Sequence, residues 1–187
     1  MLWERRGNTV YSSVDEAILS MSGQTEEELL HPPTFQPSSI PGIVEAGRVI
    51  FQARSEGRHA YIVGDYDADG ITSTAILSRL FKFLHIEHTT IIPKRLSDGY
   101  GVSECHVAGI QDSLIVTVDN GIAAGEILDK AAGRNNLIVV IDHHLPGEGV
   151  PASADVIIDP HMFPSACGFN DYCGAGLAYK LACHMLQ

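Results

Sequence analysis

The sequence predicts an α/β fold in which a parallel sheet carries helices on both faces. Two observations support this prediction. Short runs of apolar, β-prone residues alternate along the chain with segments of helical character, a pattern typical of parallel strands joined by right-handed crossovers. Three of these runs, at residues 60–64, 114–118 and 137–141, are apolar almost throughout, as expected for strands buried on both faces.

The remaining elements follow from the same alternation. Two further strands are predicted at residues 89–92 and 155–158. Helices are predicted at residues 71–85, 103–110, 122–132 and 174–186. Pro41 can open an earlier helix that continues to about Glu56, because proline is well placed in a first helical turn.

The first 42 residues are predicted to form a separate helical and extended arm. Two short helices are expected within it, at residues 13–21 and 25–30. The segment His31–Gly42 contains four prolines, which favour a linker or an extended stretch over a helix. We therefore expect two parts, the arm at residues 1–42 and one domain at residues 43–187.

Composition is consistent with a globular protein. The chain has 187 residues, of which 45% are apolar, and no apolar run approaches the ~20 residues that cross a bilayer. The four cysteines show no Cys-x-x-Cys pairing. A zinc site built from Cys167, Cys173 and His161 has poor spacing, so unreactive thiols in a reducing cytoplasm are the better interpretation.

The net charge of −11 argues against a simple nucleic-acid-binding protein with a basic face. Affinity for a polyanion would have to come from local basic residues, from bound metal ions or from parts of a longer protein. The sequence favours the last of these sources.

Acidic residues follow three of the predicted strands directly. Asp65, Asp67 and Asp69 follow the first buried run, Asp119 follows the second, and Asp142-His143-His144 follows the third. Because open parallel sheets place their sites at the carboxyl ends of strands, these side chains are expected to converge. Alternating acids in an extended segment would share one side, so Asp65, Asp67 and Asp69 can line one wall. Unpaired, they would repel one another, and divalent cations would relieve that repulsion.

Simpler structural roles exist for single members of this set. Asp69-Gly70 can cap a helix that begins near Ile71, and Asp119-Asn120-Gly121 can form an ordinary turn. Caps and turns do not readily explain ligand-type residues at three strand ends together. A metal site is the better interpretation.

These segments resemble the first three motifs of the DHH phosphoesterases. The three segments are Gly64–Gly70, Val118–Gly121 and Asp142–Gly147. Two more, Pro93–Ser103 and Cys173–Lys180, resemble the RecJ group of single-strand-specific exonucleases within that superfamily. The resemblance extends from about Ile43 to Gln187, with the motifs in order, and it implies a Rossmann-like DHH domain.

The ligand types and the resemblance together imply a site with two Mn²⁺ or Mg²⁺ ions. Carboxylate and imidazole ligands suit these ions better than thiol-preferring metals. We expect Asp119 to bridge the ions and Asp65, Asp67 and His143 to be primary ligands. Asp69 and His144 would complete the shell or contact the phosphate, and Asp142 would orient a histidine ring.

Four residues are expected to contact substrate. Arg95 can clamp a phosphate and Tyr100 can stack on a base, although a solvated surface loop is the alternative. Gly174 and Gly176 precede or open a helix, and indicate either a phosphate-binding helix start or tight helix packing.

The resemblance to the RecJ group implies a hydrolase that digests single-stranded DNA from its 5′ end in DNA repair and recombination. It also implies a single-strand-binding protein or a helicase as partners, reached through domains that this chain lacks. The family carries another metal-binding aspartate some sixty residues beyond the paired histidines. We therefore expect an amino-terminal piece with weak or no activity alone.

Two other functions stay open at this point. The first is a DHH phosphoesterase that acts on oligoribonucleotides, cyclic dinucleotides or pyrophosphate. The second is a non-catalytic DHH module that binds or organises partners. Intact acids at all three strand ends argue against the second, and the segment from Arg95 to Ser103 argues against the first.

Overall fold

The computed structural model describes residues 9–31, 34–94 and 101–187. The chain divides into two compact units between Thr34 and Phe35. The first unit contains helices α1 (Val14–Ser22) and α2 (Glu26–Leu30), which confirm the two short helices predicted there. The hydroxyls of Ser13 and Thr25 cap them by accepting hydrogen bonds from backbone N–H groups of the first turn.

The second unit is a parallel sheet with helices on both faces, as predicted. Its strands are β1 (Ala60–Val63), β2 (His88–Ile91), β3 (Leu114–Val118), β4 (Leu137–Ile141) and β5 (Val156–Ile158). Its helices are α3 (Ile43–Ser55), α4 (Ala68–Phe83), α5 (Glu104–Val107), α6 (Gly125–Ala132) and α7 (Gly174–Met185). The strand order is β2-β1-β3-β4-β5, and every neighbouring pair is parallel.

The core lies on both sides of this sheet because alternate strand residues face opposite ways. On one side, Ile62 and Val116 pack with side chains of α3, α4 and α7. On the other, Ile115 and Val140 pack with α5 and α6. The central strands are therefore covered on both faces, which explains their nearly continuous apolar sequence.

Three predicted helices differ from the structure by three residues at one end. Helix α4 begins at Ala68 rather than at residue 71, because Asp67 and not Asp69 caps it. Helix α6 begins at Gly125 rather than at residue 122, because the preceding residues form a turn closed by the Ala124 N–H and the Gly121 carbonyl oxygen. Helix α5 covers Glu104–Val107, which is shorter than the predicted 103–110.

Residues 35–42, assigned to the arm by sequence, belong to the second unit. Pro37–Ser39 form a 3₁₀ turn, and Ile40 is buried in the same core as Ile43. Apolar side chains within the proline-rich segment are thus part of the sheet unit's packing. Among the described residues, no helix is both long enough and apolar enough to cross a membrane.

Candidate metal centre

The sheet brings three acid-bearing strand ends together. Strands β1, β3 and β4 are neighbours and run in the same direction, so the residues that follow them lie at one edge. These residues are Asp65 after β1, Asp119 after β3 and Asp142 after β4. The predicted convergence at the carboxyl ends follows directly from this strand order.

The turn after β1 combines a buried acid with a helix cap. The Asp65 side chain is buried and accepts a hydrogen bond from the Tyr66 N–H at 2.7 Å. Asp67 accepts one from the Gly70 N–H at 2.9 Å and so caps α4. A Cβ at Gly70 would lie 2.6 Å from the Asp65 backbone, so only glycine permits this tight turn.

Asp69 occupies a different place from the one predicted. The expected extended run ends at Asp67, and Asp69 lies in the first turn of α4. Its carboxylate still reaches the site, because Asp69 Oδ2 is 3.5 Å from His143 Nε2. The first turn of α4, rather than an extended segment, therefore places the Asp69 carboxylate at the centre.

Asp119 is a buried acid of the centre with one unpartnered carboxylate oxygen. It is 1% exposed, and its Oδ1 has no hydrogen-bond partner in the part of the chain described. His143 Nε2 lies 3.1 Å from that oxygen, but the pair lacks hydrogen-bond alignment. Burial, followed by the charges of Asp69 and Asp67, raises the pKa of Asp119 to about 8.

The backbone holds Asp119 in this position under strain. Its φ is +61°, in the left-handed region that non-glycine residues rarely adopt. The Asp119 N–H donates to the Ile141 carbonyl oxygen at 2.9 Å, which links the ends of β3 and β4. A strained residue with a buried, unpartnered carboxylate is typical of a functional site. A cation would offset the cost of burying this group.

Asp142 organises the turn that carries both histidines. It is 1% exposed, and its Oδ1 accepts hydrogen bonds from the His143 N–H, the His144 N–H and His144 Nδ1 at 2.8, 3.2 and 2.7 Å. Its Oδ2 accepts from the Ile122 N–H at 2.9 Å. The hydrogen bond between the His144 ring and Asp142 is the main reason that the pKa of His144 is raised to about 9. Asp142 thus fixes the orientation of the His144 ring at the edge of the centre.

Two groups of potential metal ligands share Asp119. Asp65, Asp67 and Asp119 each offer an oxygen within 4.8 Å of the others, and Asp119, His143 and His144 do the same with one oxygen and two ring nitrogens. Three oxygens in one group and a mixed oxygen and nitrogen set in the other suit Mn²⁺ or Mg²⁺. The orphaned Asp119 Oδ1 and the donor set therefore fit divalent cations.

Helix α7 packs directly against this centre. The N–H groups of Gly174 and Ala175 donate to Asp69 Oδ2 and Oδ1, each at 2.8 Å. A Cβ at Gly174 would lie 2.7 Å from Asp119 Oδ1. The Gly176 N–H donates to Cys173 Sγ at 3.3 Å. These contacts favour tight helix packing, and the substrate-binding role of Gly174 and Gly176 stays a prediction.

Two predicted substrate residues, Arg95 and Tyr100, lie outside the described residues. Two other residues at this edge were not predicted as site residues. Asp159 follows β5 as a further buried strand-end acid, and its position after a predicted strand was a usable signal. Asn120 was considered only as a turn residue, yet it is 2% exposed and neither polar atom of its side chain has a partner within the described chain.

Comparison with known proteins agrees with this geometry. Residues 59–187 match the model of the DHH family, N-terminal domain. The chain belongs to the DHH family. The matched residues include all three strand ends and helix α7.

Similar proteins include single-stranded-DNA-specific exonucleases. RecJ of Dickeya dadantii (strain 3937) is 41% identical over 146 residues, covering 76% of this chain and 25% of the relative. The chain thus spans about a quarter of the length of that curated relative.

Solved structures of the same kind also match. An exonuclease RecJ bound to manganese has a TM-score of 0.71 and 33% identity, with 78% of this chain and 37% of that chain covered. RecJ in complex with Mn²⁺ from Thermus thermophilus has a TM-score of 0.69 and 30% identity, with 89% and 24% covered.

Proposed function

We propose that this chain is the metal-binding part of a 5′→3′ exonuclease that hydrolyses single-stranded DNA in DNA repair and recombination. The observation that carries the proposal is the pair of ligand groups that share Asp119. The similarity to RecJ exonucleases, two of them solved with manganese, supports this choice of reaction and metal.

The ligand groups suggest two ions, of Mn²⁺ or Mg²⁺. Asp119 would bridge them, with Asp65 and Asp67 on one side and His143 and His144 on the other. Two divalent cations held by these residues would supply Lewis-acid chemistry, activating a water and offsetting negative charge at phosphorus. Asp69, held by the N–H groups of α7, would complete the shell near His143 or contact the phosphate.

The protonation of Asp119 and the orientation of the His144 ring would also affect how the ions are held. Asp119 would hold a cation only as a carboxylate, and because burial raises its pKa, a cation would have to compete with a proton at this residue. Asp142 keeps the His144 ring in one orientation, with Nδ1 directed to the carboxylate.

The substrate would be held by other residues of the chain and by further parts of the protein. Arg95 is the proposed phosphate contact and Tyr100 the proposed stacking residue. With a net charge of −11, the chain has little general attraction for DNA, so we propose that other domains supply most of it. Those domains would also meet a single-strand-binding protein or a helicase, and the protein would act in the cytoplasm.

Degradation of end-labelled single-stranded DNA by the full-length protein, with and without Mn²⁺, tests this proposal. A 5′ label should appear first in mononucleotides, whereas a 3′ label should persist in long fragments. Asp119→Ala should abolish the activity, and Asp15→Ala, at an exposed position outside both ligand groups, should retain it. Cleavage of short oligoribonucleotides or pyrophosphate with no degradation of DNA would favour a small-substrate phosphoesterase. Single-strand binding without any hydrolysis would favour a non-catalytic module.

A further inference from the structure

Neither helix of the first unit has a buried side chain. Helix α1 has nine residues and helix α2 has five. Helices shorter than ~12–15 residues are only marginally stable in water, and most helical stability in proteins comes from packing of an apolar face. The two helices therefore lack the apolar cover that normally stabilises elements of this length.

The apolar side chains of these helices are exposed. In α1, Val14, Ile18 and Met21 follow one another at spacings of four and three residues, which places them on one face of the helix. All three are exposed, and so are Leu29 and Leu30 of α2. Several exposed apolar side chains on so short a segment are typical of an interaction surface.

A groove of about 260 Å³ lies between the two helices. The residues that line it are Asp15, Ile18, Leu19, Glu26, Leu29 and Leu30. Four of them are apolar and two are acidic. The volume is below the roughly 300–1,000 Å³ of small-molecule sites, whereas an apolar groove that takes a few side chains is a usual way to bind an amphipathic helix. The groove therefore favours a protein segment over a small ligand.

The charge of this segment restricts the partner further. Residues 9–31 contain five acids and neither lysine nor arginine. Two of the acids, Asp15 from α1 and Glu26 from α2, line the groove itself. These charges would repel nucleic acid and anionic lipid surfaces and would attract lysine and arginine side chains. The complementary partner carries apolar side chains flanked by basic ones.

We propose that the groove between α1 and α2 binds a basic amphipathic helix of a partner protein. Apolar side chains of the partner would pack on Ile18 and Leu29, and its basic side chains would lie beside Asp15 and Glu26. In this way the partner would supply the apolar cover that the two short helices lack. The groove shares no residue with the groups of metal ligands, so the proposal does not depend on the proposed nuclease function.

The binding test uses the whole chain and two synthetic peptides. The first peptide has about 15 residues, with leucine at the i, i+3, i+4 and i+7 spacing of an apolar helix face and lysine at the other positions. The second has glutamate in place of every lysine. Fluorescence anisotropy should show binding of the lysine peptide, with an affinity that falls as salt is raised, because salt screens exposed charges. The glutamate peptide should not bind.

Matched variants separate the groove from the general negative charge of the chain. Glu26→Lys and Glu27→Lys make the same charge change in the same helical turn, but only Glu26 lines the groove. Glu26→Lys should weaken binding of the lysine peptide at least ~5-fold, because an attraction is replaced by a repulsion, and Glu27→Lys should change it by no more than about twofold.

A second pair of variants tests the apolar contact. Ile18→Ser should weaken binding of the lysine peptide at least ~10-fold, the loss expected when a buried aliphatic side chain is removed from an interface. Val10→Ser, an exposed position of the same unit outside the groove, should leave the affinity unchanged. Circular dichroism spectra of all four variants should match the wild type.

Several results would overturn the proposal. They are no binding of the lysine peptide, equal binding of the two peptides, or equal losses in Glu26→Lys and Glu27→Lys, since the net charge of −11 would then explain the attraction. Concentration-dependent dimers of the wild type that Ile18→Ser abolishes would make a second copy the occupant instead. Binding to phosphatidylcholine vesicles that Ile18→Ser abolishes would assign the groove to a lipid surface.

Discussion

Two glycines of helix α7 are expected to respond in opposite ways when each is replaced by alanine. At Gly174 the new Cβ would lie 2.7 Å from both Asp119 Cβ and Asp119 Oδ1, closer than real contacts allow. At Gly176 the nearest atoms are Tyr172 Cδ1 at 3.5 Å and Cys173 Sγ at 3.6 Å, which are ordinary contacts. The two positions therefore share a helix and a substitution but differ in what the added methyl group meets.

Gly174→Ala should destabilise the protein and weaken metal binding. Overpacking of this kind costs about 1–3 kcal/mol, which for a protein of this size corresponds to a melting temperature lower by roughly 2–12 °C. Because α7 must move away, the N–H groups that hold Asp69 would be pulled from its carboxylate, and Asp119 would be displaced. We expect a loss of about 10–100-fold in Mn²⁺ affinity, the usual effect of disturbing the support of metal ligands.

Gly176→Ala should bind Mn²⁺ like the wild type. It should be neutral or more stable by up to about 1 kcal/mol, because alanine favours a helix over glycine. Thermal melts and calorimetric Mn²⁺ titrations of both variants provide the measurement. If Gly174→Ala kept wild-type Mn²⁺ affinity, the inference that α7 supports Asp119 and Asp69 would be refuted.

The site supports three more predictions. Asp119→Ala should abolish Mn²⁺ binding by calorimetry while the circular dichroism spectrum stays unchanged; wild-type affinity would remove Asp119 from the ligand set. Metal-free protein should melt at lower temperature as pH rises from about 6.5 to 9. Because the pKa of Asp119 is raised, the fold favours protonated Asp119 and loses stability as this carboxyl ionises. Because the pKa of His144 is raised to about 9, the charged His144 ring stabilises the fold, and this stabilisation is lost as the ring is deprotonated. Mn²⁺, which requires deprotonated Asp119, should oppose this decline, and a flat metal-free profile in a melting series would contradict the two pKa shifts. Arg95→Ala in the full-length protein should weaken single-strand binding by ~1–3 kcal/mol without changing Mn²⁺ affinity, and an unchanged dissociation constant at low salt would return Arg95 to an ordinary surface role.

Much of the fold could be predicted from the sequence because its signals are local. The buried runs at residues 114–118 and 137–141 coincide with β3 and β4, since continuous apolar residues identify strands covered on both faces. The start of α4 was less predictable. Asp67 and Asp69 are both acceptable caps by residue type, and the turn after β1 decides between them.

The sequence alone also determined which chemistry the site could contain. Acids and paired histidines directly after parallel strands lie at one edge of the sheet, whatever the details of the helices. The ligand types and the expected convergence of Asp65, Asp119 and His143 therefore follow from strand positions. The structure then brings all three into overlapping ligand groups around Asp119.

Only the tertiary structure decided how these groups are supported. Gly174 and Asp69 are 105 residues apart in sequence, so no local pattern indicates that one hydrogen-bonds the other. The unpartnered amide of Asn120 is likewise invisible in sequence, where Asp119-Asn120-Gly121 resembles an ordinary turn. A sequence shows which polar groups are present, whereas packing between distant segments determines which of them are buried, paired or left without a partner.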